Sequence, residues 1–101
     1  MLIYNITTKV NWNIHEDWLK WMKEKHIPDV MNTGCFSEFR FAHLLEIDEE
    51  EGPTYSNQYY VETKTKYDQY ISFHATHLRK EVLEKWSNQI IAFRTLMELV
   101  H

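Results

Sequence analysis

A chain of 101 residues, 44% hydrophobic and 26% charged with two Gly and two Pro, has the size of one domain and is too apolar for a disordered, collagenous or low-complexity segment. Its formal charge of −4 argues against a nucleic-acid partner, because neutralising phosphates needs clustered cations and the nearest approaches, Lys64/Lys66 and Arg79/Lys80, are short and acid-flanked. Cys35 is the only cysteine, so no intramolecular disulfide forms, and no apolar run approaches the ~20 residues of a membrane span; a reducing, cytoplasmic setting and no membrane partner are the expectation.

Leu2 to Val10 is rich in Ile, Tyr, Thr and Val with a period near two. It reads as a strand rather than a leader peptide, which needs a basic start and an apolar centre. Asn13, three residues before Glu16, resembles a capping box. Ile14, Trp18, Trp21 and Met22 follow on one helical stripe. Pro28 predicts a kink or break near His26–Ile27, since the residue before a proline is biased away from helical angles. Pro28 then opens a short second turn that Gly34 closes. Cys35 to Ile47 and Thr54 to Thr63 read as the next two strands, joined as a hairpin through the acidic turn from Asp48 to Pro53. Thr65 with Asp68 offers the N-cap of a second long helix, with Tyr67, Ile71, Ala75, Leu78, Val82 and Trp86 as its apolar stripe. Asn88 stops it, and Gln89 to Val100 forms the last strand.

The order β-α-β-β-α-β predicts an α+β domain of ferredoxin-like type over residues 1–101, a four-stranded antiparallel sheet with both helices on one face. In the last strand, Ile91, Phe93, Thr95, Met97 and Leu99 alternate with Ile90, Ala92, Leu96 and Val100, the second set also holding Arg94 and Glu98. A strand apolar on both sides expects cover on both, and two helices cover one. A second copy, sheet against sheet, is the simplest cover for the other. A homodimer through the open sheet face is therefore expected, with the set that contains Arg94 assigned to the dimer side.

The strand MLIYNITTKV, the helix IHEDWLKWMKEKHIPDVMNTG, the segment HLRKEVLEKW and the closing IIAFRTLMELV resemble a family of uncharacterised bacterial proteins of this length, known only as a domain of unknown function. KEKHIPDVMNTG is the most specific part. The resemblance implies a dimeric α+β-barrel fold, shared with antibiotic-biosynthesis-type monooxygenases, haem-degrading enzymes and muconolactone-isomerase-like proteins. It carries over no catalytic residue, because a shared fold does not assign a reaction.

His26 either caps the end of the first helix, where a cation suits the dipole, or turns its imidazole into the cleft between helix and sheet as an acid/base group. His74 and His77 have a spacing that lets two imidazoles approach one metal, but no third ligand is evident; no metal site is expected, and His74 is read as half-buried with His77 facing away. Arg94 either forms an intersubunit salt bridge, with Glu98 as neighbour, or binds an anion inside the barrel. Asn5, Arg40, Gln58 and Tyr60 join Arg94 on one sheet face in the register read here, although a one-residue slip sends each to the other side. Trp18, Trp21 and Trp86 read as core, Trp12 as a staple or rim residue, and Cys35 as an inert thiol. There is no Gly-rich phosphate loop and no GxSxG.

These readings converge on a homodimer that holds a small apolar or anionic molecule in the cleft between helices and sheet. If it is catalytic, His26 transfers the proton, Arg94 stabilises the anion and Tyr60 donates a hydrogen bond, while His74, Arg40, Asn5, Gln58 and Trp21 contact the ligand. Cofactor-free oxygenation or isomerisation would suit the resemblance, with no cofactor required. The alternative is a non-catalytic interaction module that engages another protein through its dimer surface or its acidic 48–51 turn, its barrel filled by side chains. A third reading, haem binding with His26 or His74 as axial ligand, needs a roomy pocket.

Overall fold

Alternating Ile, Tyr and Thr make Leu2–Val10 (β1) the strand that pairs on both edges. The computed structural model describes residues 1–100; residue 101, the end of the expected domain, lies outside them. β1 is flanked antiparallel by β3 (Thr54–Val61) and β4 (Ile90–Glu98), and β2 (Glu38–His43) adds to β3, so the sheet order is β2-β3-β1-β4. This is the ferredoxin-like α+β arrangement expected. The second strand is shorter than its apolar pattern suggests, Cys35 to Ser37 and Leu44 to Ile47 lying outside the ladder.

The first helical rod joins α1 (His15–Trp21) to α2 (Ile27–Met31) through one π-helical turn, Met22–His26. The expected break at Pro28 does not occur: Ile27, the residue before it, keeps helical angles (φ −61°, ψ −46°) and donates its N–H to Met22 O, five residues back. Proline removes a donor and crowds the carbonyl four residues earlier. The wider turn relieves both, so the rod continues. The second rod repeats the device, with α3 (Lys64–Tyr70) and α4 (Thr76–Trp86) joined by the π-turn Ile71–Ala75. Its N-cap is Thr63 rather than Thr65, the hydroxyl accepting from Lys66 N–H at 3.2 Å. Asn11, not Asn13, caps the short 3-10 turn Trp12–Ile14 that leads into the first rod. The second rod stops at Ser87, whose φ is 52°, one residue before Asn88.

Gly34 closes the first rod as expected, with φ 76° and its N–H on Met31 O at 3.1 Å. In the acidic loop Trp12 donates from its indole N–H to Glu49 O at 2.7 Å, and His43 and Glu49 pair at 2.5 Å. The turn is thereby held against the domain.

Residues 4, 8 and 10 of β1 and 59 and 61 of β3 are buried with Trp18, Met22, Ile27, Val30, Tyr70, Leu78 and Trp86 from the rods. Tyr4 sits amid this layer, with Tyr67, Tyr70, Phe36 and Tyr59 rings 5.6 to 6.4 Å away. The register corrects one expectation. Ile6 pairs with Arg94, Thr8 with Ala92 and Val10 with Ile90, which puts Ile90, Ala92, Arg94 and Leu96 on the helix side and Ile91, Phe93 and Met97 on the open side. The assignment of the Arg94 set to the open face was inverted, because a strand apolar on both faces carries no phase of its own. Among the described residues, no helix is long and apolar enough to cross a membrane.

Candidate ligand-binding site

Between the rods and the inner face of the sheet lies a cavity of about 50 Å³. β1 supplies Tyr4, Ile6 and Thr8, β3 supplies Tyr55, Asn57 and Tyr59, and β4 supplies Ala92 and Arg94. The first rod contributes Trp18, Met22, His26 and Val30, the second Tyr70, Leu78, Arg79 and Val82. The alternation of β3 aims residues 55, 57 and 59 inward, so one amide stands between two phenols. Among the described residues, the lining is aromatic and contains no carboxylate.

Three lining groups carry a buried polar atom with no partner among the described residues: His26 Nδ1, Asn57 Oδ1 and Arg79 Nε. Asn57 donates from Nδ2 to Tyr59 OH at 2.8 Å, which leaves its oxygen to the cavity. Arg79 donates from Nη2 to Tyr4 OH at 2.9 Å. Burial pushes the His26 pKa down to about 4; Asp29 and Glu81 pull it up, while Arg94 and Lys25 push it further down. The imidazole is therefore neutral at neutral pH. Burial also raises the Tyr59 and Tyr70 phenols, the first against the bond from Asn57. The formal charge facing the cavity is thus that of Arg79 and Arg94. Lys25 holds the nearby acids, Asp29 at 2.5 Å and Glu81 at 3.9 Å.

Of the residues singled out in the sequence, His26 and Arg94 meet at this cavity. Trp21 stacks on His26 with ring centroids 5.1 Å apart, outside the lining. Asn5, Gln58, Tyr60 and Arg40 share the open face, separated from Arg94 by the thickness of the sheet: Asn5 pairs with Gln58, and Arg40 pairs with Gln58 from the other side. There Asn5 is bonded to Thr7 and Ser56, Tyr60 donates to Gln58 at 3.3 Å, and Arg40 meets Glu38 at 3.9 Å. The expected single polar group on one face is two groups, one on each face. His74 stacks on Tyr70 and His77 pairs with Glu81 at 3.0 Å, so the two imidazoles do not converge. Among the described residues, no three His, Cys, Asp or Glu are placed to hold a metal.

Sequence reasoning missed Asn57 and Arg79. Both were signalled: Asn57 is polar at the inward step between Tyr55 and Tyr59, and Arg79 stands four residues after Ala75 and three before Val82, on the apolar stripe.

The family described as domain of unknown function DUF4286 matches residues 1–100. The chain belongs to this family. No curated protein matches this DUF4286 chain. Its fold is that of several solved structures: an ethyl tert-butyl ether d (ethd) family protein from Bacillus halodurans (9% identity, TM-score 0.70, 99% of this chain and 100% of that one), a dimeric ferredoxin-like protein from an uncultured marine organism (9%, 0.66, 99% and 96%), and a protein from Arabidopsis thaliana (14%, 0.62, 98% and 98%). At such identities the DUF4286 chain shares their fold, and the site is read from its own residues.

Proposed function

We propose that this DUF4286 protein is a homodimer that binds a small molecule in the cleft between helices and sheet of each subunit. The observation that carries it is the set of three unpartnered polar atoms, His26 Nδ1, Asn57 Oδ1 and Arg79 Nε, around one cavity. Each such atom costs about 1–3 kcal/mol when left unpaired, a cost that a ligand's polar groups offset on binding. A cavity of about 50 Å³ suits a ligand of few atoms. It lies well below the roughly 300 Å³ at which drug-sized pockets begin, so a haem does not fit. If the protein is catalytic, the neutral His26 is the group able to accept a proton, and Arg94 the one to stabilise the anion formed. Tyr60, across the sheet, is outside that set.

The dimer reading rests on β4. Ile91 and Phe93 are 67% and 61% exposed on the open face of an edge strand, paired with Lys9 and Thr7 of β1. Apolar patches of this kind are usually covered, and one protein of the same fold is described as dimeric. Asn5, Gln58, Tyr60 and Arg40 then become interface groups. Native mass spectrometry of protein purified from its own host tests both parts. A dimer carrying a small co-purifying molecule is expected; a bare monomer at high micromolar concentration removes the proposal.

A further inference from the structure

We infer that the cavity takes a small monocarboxylate that also carries a hydroxyl, its carboxylate held by Arg79 and Arg94 and its hydroxyl donating to Asn57 Oδ1. The inference rests on reading the cleft as a ligand site and specifies what fills it. The chain has 15 acidic against 11 basic residues, yet the cavity is lined by two guanidiniums and no carboxylate. Among the described residues, the arginine ion pair is Arg40–Glu38, on the opposite face. Arg79 is half-buried there with its Nε unpartnered, and Arg94 reaches the same cavity from the exposed edge strand; a guanidinium partly withdrawn from water is stabilised by an anion.

The geometry gives that anion two holders. Arg79 descends from α4 with one Nη2 proton spent on Tyr4 OH and its Nε unpaired. Arg94 rises from β4 opposite Ile6, diagonal to Tyr4 on the same sheet face. Both guanidiniums line the one cavity, as does the Tyr70 ring. A guanidinium binds a carboxylate through paired N–H groups in its own plane. The other end of the ligand is set by Asn57, one strand beyond Ile6 on the side away from Arg94. Its free oxygen accepts only, so it asks for an O–H and repels a second anionic group. That acceptor, with neutral His26 and aromatic walls, disfavours a strongly hydrated dianion such as phosphate.

The probes are glycolate and lactate, each beside its neutral amide, titrated into the full-length protein and into Arg94→Met. Protein NMR follows the arginine Nε–Hε signals. At least one acid should bind, moving the Arg79 signal, with its amide weaker by about tenfold or more. Arg94→Met should weaken that acid by a similar factor and leave the amide unchanged. An amide that binds as tightly as its acid overturns the carboxylate while the cleft remains a ligand site. An acid indifferent to Arg94→Met overturns the two-arginine clamp. Binding of none of the four overturns the monocarboxylate, while a small molecule co-purifying in native mass spectrometry would still support the cleft as a ligand site.

Discussion

The indole of Trp21 lies nearly flat on the imidazole of His26, ring centroids 5.1 Å apart and planes 19° from parallel. Trp21 in turn meets Trp86 edge-on at 5.8 Å, so the imidazole is sealed on one side by two indoles and on the other by the cavity. Asp29, Lys25, Glu81 and Arg94 are the charged groups acting on it, and burial outweighs them, leaving a pKa near 4. The unfolded chain binds this proton near pH 6.5, so below that value the unfolded state holds more protons than the folded one. Stability is then full above pH 6.5 and falls as the pH drops towards 4. Between pH 7.5 and 5 this one group removes about 2 kcal/mol. Urea unfolding at the two pH values should show that loss, and His26→Gln should abolish most of it. An equal slope in the variant would refute the assignment.

Removing the indole lid should release the histidine. In Trp21→Ala, water reaches the ring, and the His26 pKa should rise towards 6.5, because desolvation is the largest cause of its depression. An NMR titration of the imidazole carbon-bound protons reads this directly. An unchanged value would locate the desolvation in the cavity walls instead.

Gly52 is irreplaceable for a different reason. A Cβ built on it would overlap the Val10 carbonyl oxygen and lie 2.7 Å from the carbonyl carbon. Val10 cannot move away, since its N–H is bonded to Pro53 O and the next N–H, of Asn11, to Gln89 O, both at 2.9 Å. Gly52→Ala should therefore cost about 3 kcal/mol or more, as overpacking against backbone does. The midpoint of urea unfolding measures it. A loss under about 0.5 kcal/mol would mean that the loop is free to shift.

The limits of sequence reading are visible in individual residues. β1 was legible to its ends because Ile and Tyr alternate with Thr and Asn there. Arg94 was legible as a polar residue interrupting an apolar strand, whereas His26 was singled out by an expected break at Pro28 that does not occur; both line the cavity. The partners assigned to Arg94 were not correct, because Asn5, Gln58 and Tyr60 are placed by the phase of β4 against β1, which a strand apolar on both faces does not encode. The unbroken rod at Pro28 was illegible for another reason: the π-turn that absorbs the proline is a property of the packed helix, while the local rule forbids helical angles at Ile27. Arg79 escaped notice because a cation on a core stripe is normally a flank residue with its head in water.

One pleat step separates two opposite outcomes on β4. Phe93 is on the open face and Arg94 on the cavity face. Phe93→Asp should weaken the proposed dimer by about 2 kcal/mol or more, the loss typical of a central aromatic anchor, whereas Arg94→Met should leave association unchanged. Sedimentation velocity over a concentration series distinguishes them. Dissociation by the Arg94 change and not by the Phe93 change would reverse the faces.

Asn57 should show the conflict between binding and stability most plainly. It is 4% exposed, and its oxygen has no partner. Asn57→Leu combined with Tyr59→Phe removes that unsatisfied acceptor, a gain of about 1–3 kcal/mol, together with both ends of the bond from Nδ2 to Tyr59 OH, a loss of about 1 kcal/mol. The variant should unfold at a higher urea concentration than the parent and bind lactate more weakly. Natural sites keep such costs where they serve a ligand. A variant destabilised by more than about 2 kcal/mol would mean that the amide is held from both ends inside the folded chain, and its oxygen would then be part of the core rather than turned towards a guest.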